Sequence, residues 1–451
     1  MDDLPPPILV EILSRLADAG DLASCRLVSP ALRSLSYDVR AVTMLCSRDR
    51  ALRSLAPDTR PLVVPFRSTV ANLVSLLPRL ESLTLGVEDP SSGIDISGEF
   101  DDSDDLHLTD VEFLSRWLPG AGARLRALSI SDLWLQSCWR PSEVLDLVSD
   151  CCERLLALEL KNAWLSVKGL RPMPLLASLT LEFIRLEDEH LDGLSASFPS
   201  LETLNLIGVG GLSEPNIRLP RLKTCRWTVS QVPLSVTIRA PELADLDLLC
   251  VRPRVLSLRT PSLRRLRLKM KQVAVVEADR FPHLRSVRLE ASSGLCDLLR
   301  ALAGCEAVKK AEVEVPGSGD GTSEAAEPVA MGDLAGSFPL LDELELGPGA
   351  WRELERSAAG GAAPAPLWRR RLKTLTVHLP TPVLRSAAPL SSVVAMCGPP
   401  CEVVVLAHGE DAGQPMERLV SLCGGGLPGV KWRWGICGAG ASKGLFCNCE
   451  H

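Results

Sequence analysis

Aromatic side chains are scarce in this chain of 451 residues, at 4% of the sequence against 46% hydrophobic residues overall. A core of that composition has to be packed from aliphatic side chains, chiefly leucine. A basic excess is lacking as well. The formal net charge of -7 argues against a general nucleic-acid binder, which carries a basic face. No uncharged apolar stretch is long enough to cross a bilayer. Asp2 and Asp3 stand where a secretory leader would place positive charge. There is no Asn-x-Ser/Thr acceptor, and the fifteen cysteines are an odd number scattered through apolar segments. That usage fits free thiols in a reducing compartment better than a disulfide framework. Together these absences predict a soluble chain of the cytoplasm or nucleus, with neither membrane nor nucleic acid as a partner.

What is present is a repeat. The pattern LxxLxL begins at Leu80, Leu125, Leu155, Leu176, Leu201, Leu222, Leu243, Leu263, Leu284, Val308, Leu341 and Leu372. From Leu201 to Leu284 the starts are 21, 21, 20 and 21 residues apart. A second mark keeps the same phase. Proline stands two residues before the first apolar position at Pro78, Pro174, Pro199, Pro220, Pro241, Pro261, Pro282 and Pro339. Proline cannot donate to a strand ladder and collects at strand starts. Each LxxLxL is therefore expected to be a short parallel strand, with its apolar residues inward and the intervening ones on a shared solvent face. About a dozen such strands, roughly 4.8 Å apart, would build a curved sheet on the order of 55 Å long.

The return segments differ along the chain. Val144, Leu145, Leu147, Val148 and Cys151, with Ser142 as a cap, predict a helix over 142–154, and Leu295, Leu298, Leu299 and Leu302 predict another over 295–303. The shorter central repeats have no room for helices. Val232, Leu234, Val236 and Ile238 alternate, and RVLSLRT and QVAVVEA read as strands too, so the convex side there is expected to be β. The turn position after each strand, where Asn or Cys is usual, is held by Leu133, Ala163, Ile184, Val209 and Val251, so these turns must be satisfied in another way. Segments 88–110, 316–337 and 347–366 interrupt the period and are expected to emerge as loops.

The N-terminal segment carries a different pattern. Leu4-Pro5 precedes Ile8, Leu9, Ile12, Leu13 and Leu16, assigned to one helical face; Asp21-Leu22 opens a second helix, and Arg26-Leu27-Val28-Ser29 follows. As an ordered set these residues resemble the F-box. With the irregular repeats behind it, and the opening strand VRAVTML between them, the chain resembles the F-box/leucine-rich-repeat proteins of plants. That resemblance implies an α/β fold, a small helical F-box followed by a leucine-rich-repeat solenoid with a curved parallel sheet and a convex side of mixed helix and strand. The boundaries would be 1–45 for the F-box and its opening strand, 46–405 for the solenoid, and 406–451 for a C-terminal cap and Cys/Gly-rich tail. It also implies a non-catalytic role in an SCF-type ubiquitin ligase. The F-box would dock on a Skp-type adaptor, and through it on a cullin, using Leu4, Pro5, Ile8, Leu9, Ile12, Leu13, Leu16, Leu22 and Val28. The repeats would hold a target protein. Pro7, where an acidic residue is common, and Leu32, where tryptophan is frequent, depart from the pattern. Independently of the family, two short helices below about 40 residues rarely stand alone, so their apolar faces must be covered by the first repeat or by another protein. A repeat scaffold with no ligase coupling is the alternative function.

Catalytic chemistry finds little support. Gly440 to Gly444 fits G-x-S-x-G, but a nucleophile elbow needs a strand before it and a long helix after it, and seven residues remain. Cys447, Cys449 and His451 lack the usual zinc spacing even with Cys437, Cys397 or Cys401 added. The glycines of 317–321 have no Lys-Ser/Thr after them. No catalytic residue, metal or cofactor is therefore assigned. On the concave face, Arg265, Arg267, Lys269 and Arg288 are expected side by side, followed by Glu312, Glu314, Glu343 and Glu345. Such a strip reads either as an ordinary solvated sheet face or as a contact for an acidic target, which would explain why four mutually repelling cations are tolerated.

Overall fold

The computed structural model describes residues 4–16, 18–56, 58–88, 105–133, 139, 141–229, 232–316, 329–358, 368, 372–380, 388–397, 402–408, 419–421, 423 and 430–437. The chain divides into two compact units, Met1–Gln231 and Val232–His451. The first begins with three helices, α1 (Pro6–Arg15), α2 (Ala19–Val28) and α3 (Pro30–Leu35). Proline in the first turn of α1 and of α3 forfeits no helical hydrogen bond there. Asp18, not Asp21, caps α2, accepting from Gly20 N at 2.8 Å and Asp21 N at 3.1 Å. Ser29 caps α3 through Ala31 N at 3.1 Å.

Seven parallel strands follow in chain order: β1 (Ala41–Cys46), β2 (Ser82–Val87), β3 (Ala127–Ser131), β4 (Ala157–Leu165), β5 (Ser178–Arg185), β6 (Thr203–Val209) and β7 (Thr224–Val229). Their register is the repeat made visible. Leu83, Leu128, Leu158, Leu179, Leu204 and Cys225 are successive partners, as are Leu85, Ile130, Leu160, Leu181, Leu206 and Trp227. All twelve are buried. Each such burial is worth about 1.5–3 kcal/mol for a leucine-sized side chain, and the shared period delivers it at every step.

The second unit repeats the design in eight parallel strands: β8 (Asp245–Cys250), β9 (Arg265–Met270), β10 (Ser286–Ala291), β11 (Lys310–Glu314), β12 (Glu343–Leu346), β13 (Thr374–Pro380), β14 (Glu402–His408) and β15 (Lys431–Cys437). Leu246, Leu266, Val287, Ala311, Leu344, Leu375 and Val403 form one buried row. Behind them Ser235–Arg239, Val255–Arg259 and Val275–Ala278 pair in parallel as a second sheet. The β reading of the central convex side is thereby met, as are the helices, seen at Val144–Cys151 and Leu295–Ala301. Ser142 receives Val144 N at 3.3 Å but sits in a two-residue strand, one step before the helix boundary.

Of the five turns at Leu133, Ala163, Ile184, Val209 and Val251, three use left-handed backbone. Asn162 (φ 57), Phe183 (φ 50) and Gly208 (φ 64) fall at matching positions of β4, β5 and β6, just before the apolar residues that replace the usual Asn or Cys. Asn162 Nδ2 also donates to Asp132 O at 2.7 Å. The interruptions are only partly loops. Pro348–Ala358 is a helix burying Ala350, Trp351 and Leu354, and Met331–Ser337 is another. Leu106 and Leu108 are buried at the end of the acidic segment, and Asp105 receives Arg67 N at 2.9 Å. Most of 88–110, the glycines of 317–321, Gly440 to Gly444, Cys401, Cys447, Cys449 and His451 lie outside the described residues.

Candidate functional site

Helix α1 carries two apolar stripes, not one. Leu9 and Leu13 are buried within the module, with Leu22 of α2 and Leu32 of α3. Leu32 thus fills its apolar position. Leu4, Ile8 and Ile12, four residues apart, remain 39%, 48% and 39% exposed. A helix turn of 3.6 residues sets the pairs 8/12 and 9/13 about 100° apart, enough to put one pair in a core and the other in solvent. Pro5 is exposed and Leu16 half-buried. At the end of α2, Leu27 and Val28 are 89% and 78% exposed. Leu9, Leu13 and Leu22 are therefore corrected from surface contacts to internal packing: α1 packs on α3, and α2 on both α3 and β1. Leu27, in the quoted motif but outside the assigned set, joins the open surface. Arg26 lies over the ring of Tyr37, 4.7 Å from its centroid, and donates to Tyr37 Oη at 2.9 Å. That contact anchors α2 while its last two residues point outward.

On the second unit, Arg265, Arg267 and Lys269 alternate along the exposed side of β9, and Arg288 of β10 is the register partner of Arg267. The structure brings the four together as expected. Their unrelieved repulsion is corrected. Arg265 pairs with Asp245 at 3.0 Å, Arg267 with Asp247 at 3.8 Å, Lys269 with Glu290 at 2.7 Å and Arg288 with Glu312 at 3.9 Å. In-register parallel strands seat each cation beside an acid of the neighbouring repeat, so the patch is a lattice of alternating charge. Further along, His378 is buried between His408, with ring nitrogens 2.8 Å apart, and Glu345 Oε1 at 3.2 Å. Burial, reinforced by His378, pushes the His408 imidazole below its ordinary value.

An F-box-like family model matches residues 1–46. Over 449 residues, 98% of this chain and 99% of the relative, the sequence is 38% identical to the F-box/LRR-repeat protein At4g29420 of Arabidopsis thaliana. This chain belongs to the F-box/LRR-repeat family. A second similarity covers 50% of the chain and 48% of the F-box protein At1g10780 of Arabidopsis thaliana, at 26% identity over 233 residues. For this F-box/LRR-repeat chain the N-terminal helices are thus a protein-interaction module, and the parallel strands are its repeats. Among the described residues no helix is long and apolar enough to cross a membrane.

Proposed function

We propose that the chain is the substrate-recognition subunit of an SCF-type ubiquitin ligase, in the cytoplasm or nucleus, contributing binding surfaces and no catalytic group. What supports the reading most is the combination of an F-box-like module with apolar side chains left open on it, Leu4, Pro5, Ile8 and Ile12 at α1 and Leu27 and Val28 at the end of α2. These side chains gain by being covered, and a Skp-type adaptor linked to a cullin is the partner such a module takes. The repeats then hold the target. Arg265, Arg267 and Lys269 retain exposure beside their acids and would steer an acidic target more than bind it.

The test separates surface from core. Burying an isoleucine is worth about 1.5–3 kcal/mol, so Ile8→Ala with Ile12→Ala should weaken adaptor co-precipitation by about two orders of magnitude while the thermal transition stays in place. Leu9→Ala should lower stability instead. Adaptor binding unchanged by the Ile8/Ile12 pair would remove the ligase assignment and leave a repeat scaffold.

A further inference from the structure

Nine tryptophans, eight phenylalanines and one tyrosine are present, and most of the described ones are packed inside. Two aromatic side chains are exposed by more than a third among the described residues: Trp139 at 70% and Phe183 at 42%. Both belong to the C-terminal rim of the first unit's strands. Trp139 precedes the two-residue strand Pro141–Ser142, which pairs with Trp164 and Leu165 of β4. Phe183 lies on the adjacent strand, β5.

Phe183 is held in an unfavourable backbone. At φ 50 a bulky residue is strained, at a cost on the order of 1–2 kcal/mol, yet the residue stays 42% exposed. Its support is specific. Gly208 leaves the space the ring uses, since a Cβ there would lie 2.7 Å from Phe183 Cδ1. Lys161 Nζ lies 5.5 Å from the ring centroid while also pairing with Glu182 at 2.9 Å. Next to it, Arg185 is the register partner of Trp164, its guanidinium 4.3 Å from the indole centroid. Arg185 is exposed and has no ion-pair partner among the described residues. This contrasts with Arg265, Arg267 and Lys269. Stacking fixes the plane of the guanidinium and leaves its N–H edge open, which lowers the entropy lost when that edge grips a carboxylate. Of the neighbouring outward positions, Ser178, Thr180, Thr203 and Asn205 are small and uncharged, while Glu159 and Glu182 share the face and Glu187 follows Arg185 by two residues. Glu182 is neutralised by Lys161 at 2.9 Å, so the approach to Arg185 is selective for where the acid of the incoming chain falls.

We propose that this rim anchors an extended acidic segment of the target protein, with a carboxylate on Arg185 and a bulky apolar side chain against Phe183 and Trp139. The proposal rests on the target-receptor reading and specifies the chemistry of the target. Aromatic and arginine side chains are the ones that dominate binding energy at interfaces, and here Trp164, Phe183 and Arg185 share one strand pair, with Trp139 two residues before the short strand that pairs with Trp164.

The test is a random dodecapeptide display selection on the full chain, run with and without its adaptor. The expected result is enrichment of peptides with Asp or Glu within about three residues of Phe, Leu or Trp. The synthesised consensus peptide, read by fluorescence anisotropy, should bind about tenfold or more weakly to Arg185→Glu, as loss of a charged hydrogen-bond pair predicts. Phe183→Ala should weaken it about fivefold, Arg185→Lys should be intermediate, and Arg352→Glu, on the exposed side of the helix Pro348–Ala358, should stay within about twofold. Absence of enrichment, enrichment without an acid, or equal binding by Arg185→Glu and Phe183→Ala would overturn the site. Adaptor co-precipitation from the same preparations separates the two readings. Adaptor binding without acidic peptides removes the rim site alone, whereas acidic peptides without adaptor binding keep the site and remove the ligase assignment.

Discussion

Gly349 has no space for a side chain, and the reason lies one repeat away. Glu314, at the end of β11, turns its carboxylate under the N-terminus of the helix Pro348–Ala358. It accepts from Gly349 N at 2.8 Å and from Val315 N at 3.0 Å. A Cβ on Gly349 would collide with Val315 O and Glu314. Burial raises the Glu314 carboxyl above its ordinary value, opposed by these two donors. Gly349→Ala should therefore cost about 2 kcal/mol or more, read as a lower urea midpoint. The cysteines set a second residue-scale property. Burial pushes Cys46 and Cys250 up to about 11 and Cys152 up to about 12, from 9.0. Unfolded thiols lose their protons from about pH 9, while the folded ones hold theirs until higher pH. Stability should therefore fall as pH rises through that window and be insensitive to these groups below it. Thermal melts between pH 7 and 11 check this, and replacing Cys152 by serine would remove its share of the alkaline loss.

At the scale of the element, the charge lattice of β8 to β11 gives a quantitative expectation. The Arg265–Asp245 pair is half exposed, with side-chain exposures of 56% and 31%. A double-mutant cycle to alanine should return a coupling of about 0.2–1 kcal/mol, shrinking in salt. A larger value would mean that the lattice holds the strands together and does not merely decorate them. The strands were legible because two independent marks, LxxLxL and the preceding proline, shared one phase. The helix Pro348–Ala358 was not, because Gly347, Pro348 and Gly349 look like a turn until Gly347 N is seen donating to Val313 O and Gly349 N to the Glu314 carboxylate. The adaptor stripe was half legible. Apolar type alone places Ile8, Leu9, Ile12 and Leu13 together, and only the packing of α3 on α1 decides which pair is covered. The rim of Trp164, Phe183 and Arg185 could not be found from sequence, since it depends on strand register and a left-handed phenylalanine.

At the scale of the whole molecule, both units are built from one rule, in which each strand keeps its neighbour's phase, with one shift between Ile207 and Val209, and the leucine rows stay on the buried face. Outward positions are free to differ. They are mostly hydroxyl and small residues on β2 to β6 and mostly charged on β8 to β12, so specificity can vary without touching the core. Deleting residues 265–285 as a block would bring Ser286, Val287, Arg288 and Leu289 opposite Asp245, Leu246, Asp247 and Leu248. The leucine row would close again and Asp247 would regain an arginine. That variant should still unfold cooperatively. Deleting Leu266 alone should abolish a soluble fold, because it turns Arg267 and Lys269 into the core. Heredity sees the same asymmetry. Unequal exchange between neighbouring repeats that adds or drops one whole repeat leaves a chain that can still fold and acquire a new surface, whereas a slip of one codon triplet within a repeat does not. Length is therefore a trait this lineage can change, and phase is one it has to keep.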